Sequence, residues 1–401
     1  MKILSIESSC DETAAAVVEN GTTILGSVVA SSTLMHAKYG GIVPEVAARE
    51  QLVCIIPTIE EALKQSKETL ASIDQIAITV GPGLIGSLLV GVETAKTIAF
   101  TTGKPLIPVN HVLAHMYANF VLSNDEGQNS SRAQSRDNPT SLKLRGASIE
   151  FPAISLVVSG GHTELYLMKS IKDLTWLGGT LDDAAGEAFD KTARLLGFEN
   201  RGGPAIQEAA SQCHPGLDPG STPKKIDSGS EAGMTTGRIK LPRPLMHDKS
   251  LNFSFSGLKT AVLREWNKCH PGPASPRQRG ELDPGSTPKK IDSSSEAGMT
   301  SALAYEVQES ITDVLVKKTL HAASIHQAKS ILLSGGVAAN LRLREKMNSA
   351  IKQYNNITMF VPPVALCTDN AVYIASYAYF RGSPTNWHDI TAVPDLSVEK
   401  I

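Results

Sequence analysis

The chain has few cysteines and no long apolar runs. Cys10, Cys54, Cys213, Cys269 and Cys367 are scattered through 401 residues, and none forms a Cys-x-x-Cys pair. That excludes a zinc knuckle and a disulfide framework. The odd count suits a reducing compartment. No apolar run reaches the roughly 18 residues that a membrane span needs. The opening Met-Lys-Ile-Leu-Ser-Ile-Glu reads as a strand and not as a signal peptide. The expectation is a cytoplasmic protein with no membrane attachment. A strong charge of one sign is missing too. The formal net charge of −2 excludes a wholly basic coat for nucleic acid and leaves a local basic groove open. Ser159-Gly-Gly161 and Ser334-Gly-Gly336 match neither the Gly-x-x-x-x-Gly-Lys-Ser/Thr nor the Gly-x-Gly-x-x-Gly signature. A P-loop and a nicotinamide cofactor are therefore not expected.

What is there suits a soluble enzyme. Apolar residues make up 41% and charged residues 19%, which excludes wholesale disorder. The length allows one large core or two lobes. The strongest internal repeat is Leu217 to Thr235 against Leu282 to Thr300, which differ only at Gly229 and Ser294. Two copies are too few for a solenoid. Their Pro, Gly, Ser, Lys and Asp composition carries no apolar period. Residues 213–235 and 269–300 are therefore read as flexible surface insertions, as is the polar stretch 123–150. Long insertions cost little closure entropy. Deleting Cys213 to Thr235 is expected to leave folding and nucleotide binding unchanged. A denaturant melt showing a loss well beyond about 3 kcal/mol, the upper end for ordinary point changes, would show the segment to be structural.

The remainder alternates between strand and helix patterns. Strands are expected at Ile3–Ile6, Ala14–Val18, Ile24–Ala30, Ile76–Val80 and Leu106–Val109, then again at Ile154–Val158, Glu164–Met168 and Ser330–Leu333. Helices are expected at Leu52–Gln65, Ile85–Thr101, Ala184–Leu196 and Ala302–Ala323, with a further one from about Ala339. In the first of these, Leu52, Ile55, Ile56, Ile59 and Leu63 make the apolar stripe. Two such cycles predict two similar α/β lobes with a cleft between them.

The chemistry-bearing residues gather in a few places. His111 and His115 are four apart after a strand, so both imidazoles share one helix face. Asp369, in Cys-Thr-Asp-Asn, can add a hard carboxylate from a distant segment. Gly81-Pro-Gly83, Ser159-Gly-Gly161 and Ser334-Gly-Gly336 are turns of the kind that hold phosphates, because glycine lets backbone N–H groups approach an anion. Ser159-Gly-Gly-His162 continues into a strand and reads as a hairpin. Asn340, after Ser334-Gly-Gly, is placed to reach a nucleoside. Asp182, Asp183, Glu187 and Asp190 crowd four carboxylates into nine residues. On a helix, Asp183, Glu187 and Asp190 would share a face and need a cation, a hydroxyl network, or Lys191 and Arg194 to neutralise them.

Ten strings in order resemble the family of tRNA adenosine threonylcarbamoyltransferases. They include Ile6-Glu-Ser-Ser-Cys-Asp-Glu-Thr13, Asn110-His-Val-Leu-Ala-His115, Val158-Ser-Gly-Gly-His-Thr163, Asp182 to Lys191, Phe253 to Thr260, Ser334 to Asn340 and Cys367-Thr-Asp-Asn370. The resemblance implies an α/β fold of two similar actin/Hsp70-like (ASKHA, ribonuclease H-like) lobes around a central nucleotide and metal cleft. The expected division is 1–115 with 369–401 as the first lobe and 116–368 as the second. It implies transfer of a threonylcarbamoyl group from threonylcarbamoyl-AMP to N6 of adenosine 37 in tRNAs reading ANN codons. His111, His115 and Asp369 would hold one divalent ion, iron or zinc. Val157, Val158, Ser159, Gly160, Gly161, Asp190, Gly203 and Asn340 would bind the adenylate. The partners implied are tRNA, a paralogous partner subunit and an ATPase subunit. Asp11 and Glu12 would face the same cleft, and a proton-handling role is inferred for them.

The chain departs from the family at Gln51, where a histidine is usual, and at its end, which lacks an arginine-rich segment. Three other readings stay open on the residues. A small-molecule kinase of the same superfold would share the glycine turns without needing the triad. A non-catalytic nucleotide-binding partner subunit would be expected to lose it. A metalloprotease lacks the glutamate of His-Glu-x-x-His.

Overall fold

The structure is a computed structural model. It describes residues 1–36, 42–122, 141–144, 147–198, 202–212, 239–269, 293–354 and 356–397. The insertion read at 213–235 lies outside the described residues, as do most of the other two.

The chain builds one five-stranded sheet twice. The first has β1 (Lys2–Glu7), β2 (Glu12–Glu19), β3 (Thr23–Ser31), β4 (Gln75–Gly81) and β5 (Leu106–Asn110) in the order β3-β2-β1-β4-β5. The second has β8 (Ala153–Val158), β9 (Thr163–Met168), β10 (Leu174–Gly179), β11 (Ser330–Ser334) and β12 (Thr358–Phe360) in the order β10-β9-β8-β11-β12. In each, three strands form an antiparallel meander and two more join parallel to the first. This repeated mixed topology is the actin/Hsp70-like arrangement. β1, β4, β8 and β11 are buried almost end to end, as strands covered on both faces must be.

The helices are α1 (Thr33–His36), α2 (Pro44–Ser66), α3 (Ile85–Thr102), α4 (His111–Met116), α5 (Ala185–Leu195), α6 (Gly202–Gln212), α7 (Ser256–Cys269), α8 (Ser293–Ile325), α9 (Leu341–Ile351) and α10 (Val372–Phe380). Three apolar clusters result. One joins the first sheet to α2 and α3, and another joins the second sheet to α5 through α9. The third lies between the lobes, where α4 and α10 meet residues of both sheets, such as Ala14, Val157 and Tyr166. The two histidines are carried by this central layer. α10 is apolar all round (Val-Tyr-Ile-Ala-Ser-Tyr-Ala-Tyr-Phe) and almost wholly buried, as expected of a helix with no solvent face.

Three expectations are corrected. The stretch 123–150 is not loop to its end: β6 (Ser141–Leu144) pairs with β7 (Ala147–Glu150), and Ile149 enters the central core. Likewise 293–300 is the first part of α8, and Met299 packs against the second-lobe core. One apolar anchor is enough to dock a short polar stretch onto a helix already formed. The third concerns α2, which starts at Pro44 and buries Ala47, Gln51, Ile55, Thr58, Ile59 and Ala62. Leu52 and Ile56, read as core, stay exposed, and so does Val53. The buried stripe combines Ile55 and Ile59 with the smaller Ala47, Thr58 and Ala62 and with Gln51, whose amide is hydrogen-bonded, so it is offset from the stripe that hydropathy alone picks out.

No helix among the described residues is long and apolar enough to cross a membrane.

Candidate metal centre and nucleotide cleft

β5 runs straight into α4. Asn110 ends the strand and caps the helix, its side chain accepting from the Leu113 N–H at 3.0 Å. Such a cap fixes where the helix starts, and so fixes His111 at its first position. His115 follows one turn later, with the two rings edge to face at 4.7 Å. Asp369 comes from the segment before α10. Its Oδ1 lies 3.6 Å from His111 Nε2 and 3.4 Å from His115 Nε2. The three ligand atoms fall within 4.8 Å of one another. Tyr373, the second residue of α10 and four after Asp369, has its hydroxyl 3.5 Å from both His115 Nε2 and Asp369 Oδ1.

The far side of His111 is equally specified. Its Nδ1 lies 3.1 Å from Glu7 Oε2 and 3.3 Å from Ser9 Oγ. Glu7 is itself held, accepting from Ser9 N–H at 2.6 Å and from the Thr79 hydroxyl at 2.5 Å. A carboxylate on the outer ring nitrogen sets the tautomer that leaves Nε2 as a ligand. Burial disfavours a charged His111, but Glu7 and then Asp369 outweigh it and hold the ring up at about 9. Burial also opposes charge on Asp369, yet the histidines keep its carboxyl well below the usual range. Burial pushes His115 down despite Asp369. Two carboxylates around one imidazolium make a site that favours a cation. A divalent ion there would displace that proton. With two Nε2 atoms and one carboxylate oxygen converging, the residues fit such an ion.

The glycine turns divide. Ser159–His162 is the hairpin turn between β8 and β9, closed by Ser159 N–H to His162 C=O at 2.8 Å. Nothing stands within 4 Å of where side chains on Gly160 and Gly161 would be. That leaves the backbone there open to a ligand. Gly335 lies against Val158 at a φ of +87°, so the ends of β8 and β11 share one edge of the cleft. α4 packs on both strands, which brings this edge to the triad. Gly81-Pro-Gly83 is different and corrects the phosphate reading. Gly83 N–H is spent on Pro394 C=O at 3.0 Å and Leu84 N–H on Ser9 C=O at 2.8 Å. A side chain on Gly81 would overlap the Val393 carbonyl. This turn straps down the C-terminal segment.

The acidic run is also rearranged. α5 begins at Ala185, so Asp183 precedes the helix and shares no face with Glu187 and Asp190. Lys191 reaches Asp183 at 2.7 Å and Glu187 at 3.0 Å, and so supplies the neutralising charge. Asp190 lies against the first residue of α6, where a side chain on Gly202 would overlap it. Nothing fills the space next to Gly203. Asn340 caps α9 by accepting from Leu343 N–H, and its Nδ2 donates to Gln308 Oε1, both at 3.0 Å. It is buried, and these two bonds make it first of all a structural residue.

Asp182 has a separate task. It accepts from the Ser254 and Ser256 hydroxyls at 2.6 and 2.8 Å and from Phe255 N–H at 2.8 Å. Burial opposes its charge, but these donors bring its carboxyl down to about 2. A folded value below the unfolded one gives stability that is present above pH 3.8 and is lost as pH falls through about 2. Asp182→Ala is therefore expected to cost about 1–2 kcal/mol at neutral pH, allowing for its exposure. Thermal melts of the two proteins should converge towards pH 2, and a constant gap across that range would rule out the carboxylate as the cause.

Asp11 and Glu12 lie at the β1–β2 turn. Burial, then the charges of Asp11 and Asp369, push the Cys10 thiol well above its ordinary range, which places this turn beside the triad. Gln51 holds it there, its Nε2 donating to the Cys10 and Glu12 carbonyls at 3.0 and 3.2 Å. Sequence reasoning missed Glu7, Tyr373 and His162. Tyr373 could have been found from its i+4 spacing to Asp369. Glu7 gives no signal before β1 and β5 are known to be close. Burial, followed by the charges of His111 and His115, brings His162 down to about 4, so its ring is neutral at pH 7.

A family model described as tRNA N6-adenosine threonylcarbamoyltransferase matches residues 23–129 and 140–376. Curated proteins of that name are similar along nearly the whole chain. One from Thermomicrobium roseum is 44% identical over 380 residues, covering 95% of this chain and 92% of its own. One from Persephonella marina is 41% identical, covering 95% and 90%. One from Listeria innocua is 41% identical over 403 residues, covering 100% and 97%.

Proposed function

The chain belongs to the tRNA N6-adenosine threonylcarbamoyltransferase family and forms threonylcarbamoyladenosine in tRNA; we propose that threonylcarbamoyl-AMP is the donor, that adenosine 37 of tRNAs reading ANN codons is the acceptor, and that they meet at His111, His115 and Asp369. The observation that carries this reading is the convergence of two imidazoles and a carboxylate beside an open glycine turn. A small-molecule kinase of this fold has no use for such a triad, and a non-catalytic subunit has no reason to keep it.

The reaction joins the N6 nitrogen to the carbamoyl carbon and breaks the bond from that carbon to the phosphate oxygen. AMP leaves with the electron pair, and the amine gives up one proton. A divalent ion on the triad, iron or zinc, would supply Lewis acidity towards the carbonyl and phosphate oxygens. Glu7 keeps His111 turned to its task. The donor is assigned to Val157 to Gly161, of which Gly160 and Gly161 lie open in the turn while Val157 and Val158 are buried in the strand behind it, and aligning two bound reactants contributes much of the rate. Asp190 and Gly203 frame the adenylate from the α5–α6 side, and Asn340, which also caps α9 and donates to Gln308, is assigned to the nucleoside. Asp11 and Glu12 are assigned to take up the amine proton. Asp190→Ala is expected to weaken binding of a non-hydrolysable adenylate mimic by about 1–3 kcal/mol with metal content unchanged, as read by calorimetry and elemental analysis.

The finer partner assignment is a paralogous subunit, with an ATPase subunit, in the cytoplasm. Leu52, Val53 and Ile56 of α2 and Ile85 and Leu89 of α3 are exposed on two helices packed together. That apolar face suits the paralogous subunit. The test of the function is reconstitution with tRNA, synthetic threonylcarbamoyl-AMP and the partner subunits. Modified nucleoside and stoichiometric AMP are expected. ATP-dependent phosphorylation of a small acceptor, without modified tRNA, would favour the kinase instead.

A further inference from the structure

A pocket of about 310 Å³ opens between the lobes, lined by Pro82, Val112, His162, Glu164 and Trp176 and closed by Asp395 to Ser397. Two of its walls adjoin the triad. Val112 follows His111 on α4, and His162 is close enough to feel both ligand histidines. The third wall is the segment strapped to the Gly81-Pro-Gly83 turn, with Val393 N–H on Val80 C=O at 2.7 Å and Gly83 N–H on Pro394 C=O at 3.0 Å. That turn, which holds no phosphate, thus shapes a second cavity next to the metal centre.

The pocket wall is built to present an aromatic ring. Trp176 stands opposite Tyr166 across β9 and β10, immediately before a register shift to Gly178. Such bulges re-aim a side chain. A side chain at Gly179 would lie 3.3 Å from Glu164 Cγ and in ordinary contact, at 3.5 Å, with Trp176 Cζ2, so the indole and the carboxylate flank the same glycine. Trp176 remains 42% exposed and lines the cavity. Pro82 and Val112 add apolar surface. Glu164, whose Oε2 accepts from the Tyr166 hydroxyl, and Asp395 add acceptors, and no lysine or arginine is among the lining residues, which disfavours a phosphate and favours a flat group bearing an amine.

We propose that this pocket receives the acceptor base, an adenine turned out of the RNA strand, stacked on Trp176 with its exocyclic amine directed towards the triad. Enzymes that act on a base must take it out of its stack, and an exposed tryptophan replaces the lost stacking partners. The inference rests on the transferase reading and deepens it by naming the acceptor subsite.

The test uses the full chain with its partner subunits. The chain has three tryptophans, so replacing Trp266 and Trp387 by phenylalanine leaves Trp176 as its sole indole emitter. An anticodon stem-loop RNA carrying adenosine at position 37 is expected to quench that emission. The same RNA with an abasic site there should not. In steady state, Trp176→Ala should raise KM for RNA about tenfold, with Trp176→Phe recovering most of it and the KM for threonylcarbamoyl-AMP unchanged in both. Equal quenching by the two RNAs, or an unchanged KM for RNA in Trp176→Ala, would overturn the assignment. Quenching is read without turnover. Base-dependent quenching with no transfer would therefore count against the transferase reading and leave the pocket standing, and normal transfer with no quenching difference would do the reverse.

Discussion

Asp369→Ala is expected to strip the protein of bound metal and to lower threonylcarbamoyl transfer more than a hundredfold, while the chain stays folded. Changing residues that merely support a metal ligand already costs about 10–100-fold, and Asp369 offers the one carboxylate of the triad. Its Oδ1 approaches both imidazole Nε2 atoms, so its loss removes the charge that draws them together. Folding should survive because the side chain is partly exposed and belongs to none of the apolar clusters. His111→Ala should behave the same way. Elemental analysis, circular dichroism and a transfer assay on one preparation check all three parts. Full metal occupancy in both variants would refute the triad.

Gly335→Ala should have the other large effect, this time through the backbone. Gly335 has a φ of +87°, and a Cβ there would overlap the Val158 carbonyl oxygen. The clash is backbone against backbone, so no rotamer relieves it. A non-glycine residue in that conformation costs about 1–3 kcal/mol, and overpacking costs a similar amount. A loss of about 3 kcal/mol or more in a denaturant melt is expected, together with weaker adenylate binding, because β8 and the turn after it hold the proposed donor residues Val157 to Gly161. Gly336→Ala is the control, since nothing stands within 4 Å of its missing side chain. Equal stability of the two variants would mean that the β8–β11 edge yields more easily than its packing implies.

The two sheets were legible because apolar strands end in glycine turns in two successive cycles, and a buried parallel strand reads as a continuous apolar run. The triad was legible because His-x-x-x-His fixes a face and Asp369 lies in a matching string. Three things were not. α10 carries no period at all, since a helix buried on every side has none to show. α2 hid its buried face, because Ala47, Gln51 and Ala62 were less conspicuous than Leu52 and Ile56. The destination of a backbone N–H cannot be read from a glycine turn, so Gly81-Pro-Gly83 looked like Ser159-Gly-Gly161. The first spends its donors on Ser9 and Pro394, whereas in the second Ser159 closes the hairpin and the space at Gly160 and Gly161 stays open. Asn340 shows the same limit, since its bonds to Leu343 and Gln308 come from residues its own motif does not contain.

The central claim is that this chain modifies adenosine in tRNA at the His111–His115–Asp369 site. It is tested most directly by replacing a bacterial host's own transferase gene with this one and measuring tRNA nucleosides by mass spectrometry. The chain should restore threonylcarbamoyladenosine, and Asp369→Ala, expressed to the same level, should not. Absence of the modified nucleoside with the folded wild-type chain and its partner subunits present, or its full restoration by Asp369→Ala, would contradict the account.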